Sequence, residues 1–181
     1  MGTQYTKRQQ INTNNTYENL SVAWIYFIIH MLLEIVCFTI LFRIYDGKVA
    51  WVSAMIYDFV AFVPQGLVGE YMNRHRRTDM ATVGICFIAL AIPIVTRRIY
   101  LIHIIGLVIL CIGNACIHEA GAVATVTVSK GKLLHSAIFV GGGSFGVVIG
   151  QALGRFSLSL YWLYGILIVM ELLSLLVRNK W

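Results

Sequence analysis

The stretch GGSFGVVIGQALG, residues 142–154, carries glycine at every fourth position of a largely apolar segment. The glycines share one stripe of a helix because residues four apart lie one above the other. Glycine inside a helix costs about 1 kcal/mol relative to alanine. Membrane helices accept that cost where small residues let a second backbone approach closely. The stretch therefore predicts a membrane helix with a packing face formed by Gly142, Gly146, Gly150 and Gly154.

The composition indicates a membrane protein. Of the 181 residues, 59% are hydrophobic and only 12% are charged. A soluble domain of this size cannot bury so much apolar surface, whereas an integral membrane protein does not need to. The net charge of +6 agrees with basic cytoplasmic loops, so nucleic acid is not expected as a partner. Four cysteines in apolar runs are interpreted as buried thiols: Cys37, Cys86, Cys111 and Cys116.

The chain contains six apolar runs of roughly 20 residues, the length that crosses a bilayer as a helix. Short polar segments separate the runs, so consecutive helices are expected to lie antiparallel. The predicted fold is an all-α polytopic membrane protein with six transmembrane helices within residues 21–181. The polar residues 1–20 are interpreted as a disordered cytoplasmic tail. The predicted spans are residues 22–43, 50–69, 80–96, 100–126, 133–153 and 158–177.

The basic residues of the loops predict the orientation in the membrane. With the amino terminus inside, nine Lys and Arg residues lie on the inner side and five on the outer side. Loops rich in Lys and Arg stay in the cytoplasm, so both termini are expected there. The expected location is the cell membrane, with the lipid bilayer as the surroundings of the helices.

Several polar side chains lie deep within the predicted spans. A charged group at the bilayer centre costs roughly 2.5–3.5 kcal/mol, so such residues face the bundle interior or a water-filled cavity. His30 is one turn from Glu34, and a simple pair between the two is the alternative for that position. The candidate substrate and proton pathway consists of Glu34, Asp58, Gln65, Asn114 and His118.

A zinc site on the fourth span is not expected. The metalloprotease helix motif needs a second histidine four residues after the first, and Ala122 stands in that place after His118. An intramembrane metal-dependent enzyme using His118, Glu119 and His135 is therefore only the third hypothesis. No metal, cofactor or enzymatic activity is expected.

The segment GLVGEYMNRHRR, residues 66–77, resembles the loop between helices two and three of major facilitator superfamily transporters. That family's pattern is Gly-x-x-x-Asp-Arg-x-Gly-Arg-Arg. Glu70 stands where Asp is usual, and Tyr71 and Asn73 depart from the pattern. The resemblance implies that an acid at a helix end faces a basic cluster and latches one conformation. The residues of this expected latch are Gly66, Gly69, Glu70, Arg74, Arg76 and Arg77.

Two further segments carry the same resemblance. GGSFGVVIGQ is similar to the glycine-rich motif in helix five of the family's drug exporters, with Gln151 where proline is usual. GNACIHEA, residues 113–120, followed by HSAIFVGGGSFG, residues 135–146, is similar to the fosmidomycin-resistance type of exporter. The residues matching that pattern are His118, Ser136, Phe139, Gly142 and Gly143. The resemblance covers residues 22–177 and implies the amino-terminal six-helix half of a twelve-helix transporter.

The resemblance implies a half-size secondary transporter of a small molecule, with proton-coupled efflux as its activity. Such transporters hold the substrate between two halves near the bilayer midplane. One half lines only half a cavity, so the chain is expected to form a homodimer or a heterodimer with a second six-helix half. The glycine stripe would then contact the other half. The runner-up hypothesis is a membrane interaction protein, or a degenerate half-transporter, that does not transport.

Overall fold

The computed structural model describes residues 2–75, 78–97, 99–130, 132–156 and 159–178, and it describes the side chains from residue 20 onward. These residues form α-helices joined by short connections, with one 3₁₀ turn ahead of the last helix and no strand within the described ranges. The helices are α1 Gly2–Ile44, α2 Gly47–Phe62, α3 Gln65–Arg74, α4 Met80–Val95, α5 Tyr100–Ser129, α6 Leu133–Gly154 and α7 Leu163–Val177.

The helix lengths confirm the class of fold predicted from the sequence. Five segments are long and apolar enough to cross a membrane: Leu20–Ile44, Gly47–Arg74, Tyr100–Ser129, Leu133–Gly154 and Leu160–Val177. The sixth apolar helix, α4, has 16 residues. It is therefore about 24 Å long, shorter than the roughly 30 Å hydrocarbon core of a bilayer. The chain is an all-helical membrane protein, while six crossings, the cell membrane and the cytoplasmic termini stay predictions.

The backbone of α1 is helical from Gly2, ahead of the apolar part that begins at Leu20. The side chains of residues 1–19 lie outside the described part of the chain. The disordered tail expected for residues 1–20 therefore stays a prediction.

The second apolar run is a single candidate span, Gly47–Arg74, as the sequence suggested, and its helix is interrupted between α2 and α3. α2 ends at Phe62 and α3 begins at Gln65, on either side of Val63 and Pro64. Proline has no backbone N–H and its ring clashes with the preceding turn, so the helix breaks there.

Contacts between side chains fix the directions of the central helices. Glu34 of α1 lies against Asn114 of α5, and Tyr45 at the end of α1 lies against His103 near the start of α5. Residues later in α1 contact residues earlier in α5, so the two helices are antiparallel. α6 is parallel to α1, because Gly142 meets Phe27 and Gly154 meets Phe42.

The glycine stripe of α6 lies directly on α1. A Cβ atom added to Gly150 would lie 2.8 Å from Cβ of Phe38 and 2.9 Å from the carbonyl oxygen of Glu34. A Cβ atom on Gly154 would lie 2.7 Å from Cβ of Phe42. These positions leave no room for a methyl group, so glycine is required for the two backbones to approach.

The partner of the stripe differs from the one expected. The sequence led us to expect a contact with a second half, but the stripe packs against α1 of the same chain. The glycine spacing defines a face that admits a close backbone without specifying which helix supplies that backbone. The opposite face of α6 is open, with Phe145 and Val148 among its exposed side chains.

A second close contact joins α4 to α5. A Cβ atom on Gly84 would lie 2.6 Å from the carbonyl oxygen of Gly113, and one on Gly113 would lie 2.9 Å from the carbonyl oxygen of Gly84. Each glycine therefore makes room for the backbone of the other. The crossing holds the short helix α4 against the middle of α5.

α1 and α5 form the centre of the bundle, because each packs against helices from both ends of the chain. α1 contacts α2, α5, α6 and α7, whereas α5 contacts α1, α2, α3, α4 and α6. α4 also contacts α7. The core is thus organised around the antiparallel pair of α1 and α5.

Substituting a stripe glycine is expected to destabilise the protein. Gly150→Ala adds a methyl group against Glu34 and Phe38, and overpacking of this kind costs about 1–3 kcal/mol. Gly141→Ala on the same helix is the matched control, since its Cβ would lie 3.8 Å from Phe27 Cε2. That control should be neutral or gain up to about 1 kcal/mol from helix propensity. The free energy of unfolding in mixed micelles measures both, and equal effects would contradict the packing described.

Candidate functional site

A polar cluster lies where α1, α5 and α6 meet. Asn114 of α5 donates from Nδ2 to Glu34 Oε1 of α1 at 3.0 Å. His30, one turn before Glu34, places Nε2 at 3.7 Å from the same carboxylate oxygen. Its other ring nitrogen, Nδ1, is 2.9 Å from the carbonyl oxygen of Phe139 on α6. His30, Glu34 and Asn114 are all buried, so these groups satisfy one another away from water.

Glycines on α5 and α6 make the space for this cluster. A Cβ atom on Gly143 would lie 2.5 Å from Cε1 of His30, so the imidazole ring sits directly over the backbone of α6. A Cβ atom on Gly121 would likewise lie 2.5 Å from Cε2 of Phe139. The close approach of the three helices therefore determines where the two rings lie.

Aromatic rings enclose His118 on the α5 side of the cluster. The His118 ring meets the His30 ring edge to face, with centroids 4.6 Å apart and an interplanar angle of 87°. Its centroid is 5.4 Å from that of Phe139 and 5.5 Å from that of Phe62, the last residue of α2. His118 Nδ1 is buried and has no hydrogen-bond partner among the described residues. His118 thus connects the buried pair to the break between α2 and α3.

The structure brings together three of the five residues proposed for the pathway, Glu34, Asn114 and His118. Asp58 on α2 is half-buried and makes no hydrogen bond to the described residues, although it is near enough to Glu34 to interact electrostatically. Gln65 begins α3, and its side-chain nitrogen is buried without a hydrogen-bond partner within the described ranges.

His30 has a larger part in the site than the sequence suggested. Its spacing of one turn from Glu34 indicated a simple pair, and the two side chains do lie side by side. The sequence carried no signal for the contact of His30 with the Phe139 carbonyl, because that contact depends on the packing of α6. The sequence offered one indication of this contact, Gly143. A glycine beside the stripe leaves room for a side chain of another helix to pack against the backbone of α6.

The expected latch after the second apolar run is only partly described. Glu70 accepts from Arg74 Nε at 2.8 Å, within one turn of α3 and with both side chains exposed. Gly66 faces open space, whereas a Cβ atom on Gly69 would lie 2.7 Å from Oε1 of Glu119. The remaining latch residues, Arg76 and Arg77, lie outside the described residues.

The metal hypothesis has no supporting cluster in the described part of the chain. No three His, Cys, Asp or Glu side chains come together there in a way that could hold a metal ion. His135 is buried at the start of α6, and neither of its ring nitrogens has a hydrogen-bond partner among the described residues.

Polar contacts also fix both ends of the bundle. At the predicted outer end, His103 Nδ1 donates to the carbonyl oxygen of Val95 at 2.7 Å, and its Nε2 is 2.6 Å from the Tyr45 hydroxyl. Burial raises the pKa of the Tyr45 hydroxyl, and nearby Tyr100 raises it further, so this hydroxyl remains a neutral donor.

At the other end, Asp79 caps α4 by accepting from the backbone N–H groups of Ala81 and Thr82. Its second carboxylate oxygen is 3.4 Å from Arg178 Nε at the end of α7. The Thr82 hydroxyl donates to Glu171 of α7 at 2.8 Å. α4 and α7 are therefore held together at this end, and Glu171 is hydrogen-bonded within the bundle.

Comparison with known proteins gives no relative for this chain, since no protein-family model, no curated protein and no solved structure matches it significantly. The fold and the site define an all-helical membrane protein with a buried polar centre. Its resemblance to major facilitator superfamily transporters rests on the sequence motifs and stays a prediction.

The contact between Glu34 and Asn114 is expected to appear as a coupling energy. Asn114→Leu removes a donor from a buried carboxylate and should cost about 1–3 kcal/mol. A double-mutant cycle of Glu34→Gln with Asn114→Leu should give a coupling of about 0.5–3 kcal/mol. Unfolding free energies in mixed micelles measure each corner of the cycle.

The control cycle pairs Glu34→Gln with Thr125→Val. The Thr125 hydroxyl bonds only to carbonyl oxygens of its own helix in the described contacts, those of Gly121 and Ala122. Its effect should therefore add to that of Glu34→Gln within about 0.5 kcal/mol. If the effects are additive in both cycles, the hydrogen bond between Glu34 and Asn114 is contradicted.

Proposed function

We propose that the chain is a half-size secondary transporter of a small molecule, which works as a dimer and binds its substrate between the two halves. The observation that carries this proposal is a symmetry in the helix contacts. If α2 and α3 are counted as one unit, the chain has six helical units in order. Units one to three and units four to six then make equivalent contacts.

The symmetry is seen when unit one is exchanged with unit four, unit two with unit five and unit three with unit six. The contact of α1 with α6 then becomes that of α5 with α2 and α3, and the contact of α1 with α7 becomes that of α5 with α4. The contact of α1 with α2 likewise becomes that of α5 with α6. Two contacts, α1 with α5 and α4 with α7, map onto themselves. Each of these contacts thus has a counterpart between the corresponding units, although the contact of α1 with α6 is far more extensive than that of α5 with α2 and α3.

The two sets are also inverted relative to each other, because α1 and α5 are antiparallel. Inverted repeats of three helices build each six-helix half of major facilitator superfamily transporters. In such transporters the substrate and coupling-ion sites lie near the bilayer midplane. The contact of Glu34 with Asn114 lies between the two symmetry-related helices, and Asn114 is near the middle of α5. The depth of this buried polar centre, near the middle of α5 and of the apolar part of α1, supports the proposal.

The reason for a second half is Asp58 of α2, because a carboxyl group that its own chain only half buries is costly in lipid. The same helix has an open face: Trp51, Met55 and Phe59 are at least half exposed, whereas its buried residues are Ala50, Ala54, Tyr57 and Ala61. A parallel dimer would place two such faces around a shared cavity and complete a twelve-helix assembly. A heterodimer with a second six-helix protein would have the same geometry.

The proposed roles follow from the chemistry of each side chain. Glu34, Asp58 and His118 are the groups that can take up and release protons, whereas Asn114 and Gln65 can hydrogen-bond a substrate. Proton-coupled efflux is the direction that the resemblance to exporters favours. Gly66, Gly69, Glu70, Arg74, Arg76 and Arg77 would latch one conformation at the end of α3.

The first test is the mass of the protein particle in detergent and in nanodiscs. Light scattering corrected for bound lipid is expected to give the mass of two chains. A particle that remains a single chain in lipid would contradict the homodimer and would leave the transporter proposal dependent on a separate second half.

The second test is transport itself, with ethidium as the probe in cells that express the chain. Asp58→Asn and His118→Ala are expected to reduce efflux at least tenfold, a loss of about 1.4 kcal/mol. Gly165→Ala is the control, since its Cβ would meet nothing within 4 Å. Unchanged efflux in both site variants would show that these residues are not in the pathway.

A membrane interaction protein that does not transport is the second candidate. The ion pair of Glu70 with Arg74 favours it, because this acid is already engaged within its own helix. A stable complex with a different membrane protein, together with no efflux of any probe, would support this alternative over the transporter.

A further inference from the structure

We propose that His30 and Glu34 form one buried site for a single exchangeable proton, with the histidine held in a fixed tautomer by the backbone of α6. The inference deepens the proposed function, since a proton-coupled transporter needs such a site. The site itself can be tested without any substrate.

A carbonyl oxygen can only accept a hydrogen bond. His30 Nδ1 is 2.9 Å from the carbonyl oxygen of Phe139, so Nδ1 carries a hydrogen atom in every state that keeps this contact. In the neutral ring the other nitrogen, Nε2, therefore has a lone pair and no hydrogen. This second nitrogen is the one that faces Glu34.

The space between His30 and Glu34 accommodates one proton. Nε2 is 3.7 Å from Glu34 Oε1, and both side chains are buried. Without a proton, a lone pair faces a carboxylate and the site has a net negative charge, which burial disfavours. With one proton, the site is neutral, whether the proton is written on the imidazole or on the carboxyl group. At 3.7 Å the two atoms are beyond hydrogen-bond distance, so holding the proton between them requires the two side chains to approach each other.

The surroundings favour a single proton at this pair. Asn114 donates to the carboxylate from α5, which stabilises Glu34 when the proton is absent. His118 from α5 lies edge to face on the His30 ring, so a second positive charge beside a protonated His30 is disfavoured. Asp58 on α2 is half-buried and makes no hydrogen bond to the described residues. Glu171 of α7 bonds instead to Thr82 of α4.

The position of the site couples the proton to the packing of the bundle. Glu34 and His30 belong to α1, whereas the two groups that fix them belong to α5 and α6. The His30 ring lies over Gly143, where a Cβ atom would be 2.5 Å from Cε1. Proton binding therefore changes an interaction that joins the two three-helix sets. His118 adjoins the pair and carries a buried nitrogen without a hydrogen-bond partner in the described residues.

The experiment uses the full chain in lipid nanodiscs without substrate, and the proton is the ligand. Infrared difference spectra during a pH titration are expected to show a band of the protonated pair, from the carboxyl group or from the imidazolium, whose loss releases about one proton per chain. The band should vanish in Glu34→Gln and remain in Asp58→Asn. A band that survives in Glu34→Gln would overturn the proposal.

Nitrogen-15 NMR of histidine-labelled protein tests the tautomer in the unmodified chain. His30, assigned by its absence in His30→Gln, should carry its hydrogen on Nδ1 at high pH and on both nitrogens or in fast exchange at low pH. A neutral His30 protonated on Nε2 would overturn the proposal. This measurement also decides the question if Glu34→Gln does not fold.

The glycine beneath the ring provides a readout that simple loss of stability would not give. Gly143→Ala should displace the His30 ring and shift the midpoint of the carboxyl titration by about one pH unit, equivalent to about 1.4 kcal/mol. Gly141→Ala, with its Cβ 3.8 Å from Phe27, should leave the midpoint unchanged. Equal midpoints in all three proteins would show that the ring position does not control the proton.

The outcomes separate this inference from the proposed function. An intact proton titration without any ethidium efflux would contradict the transporter and leave the proton site standing. Efflux that remains in a protein whose His30 has the other tautomer would contradict the proton site alone.

Discussion

The close approach of α1 and α6 is the contact on which the rest of the structure depends. Four glycines at every fourth position remove the side chains that would separate the backbones. In a bilayer, apolar side chains gain little by leaving lipid for protein, so close packing supplies much of the driving force for association. This contact between α1 and α6 places the Phe139 carbonyl oxygen within hydrogen-bond distance of His30 Nδ1 and aligns the rest of α6 with α1. α5 then packs against both helices and completes the buried centre.

The contacts within the polar centre are a consequence of this helix packing. Lipid offers no hydrogen bonds, so Glu34, His30 and Asn114 must satisfy one another once the helices exclude water. Each of the three side chains comes from α1 or α5, the two helices related by the contact symmetry. Their mutual contacts therefore join the two sets of helices through groups that can also change their protonation. A carbonyl oxygen of α6 adds a fixed acceptor to this set.

The sequence predicted what depends on local spacing and missed what depends on which helices meet. Glycine spacing predicted a closely packed face on α6, but a stripe of small residues does not specify its partner, and α1 proved to be that partner. Hydropathy predicted the apolar helices, including the second run as a single candidate span, but it carried no signal for the interruption of that helix beside Pro64. Glu34, Asn114 and His118 were proposed from their polarity in apolar runs, and the structure brings the three side chains together. The importance of His30 followed only from its contact with the backbone of a distant helix.

The shortness of α4 has a consequence for the membrane around the protein. With 16 residues it falls several ångströms short of an ordinary hydrocarbon core, and Leu90 on this helix is half exposed. A short helix is accommodated when the adjacent lipids thin or its flanking residues reach outward, each at a modest energetic expense. Because the crossing of Gly84 with Gly113 ties α4 to α5, the helix cannot adjust its position independently. The length of the surrounding acyl chains thereby becomes a determinant of how the whole bundle sits in the bilayer.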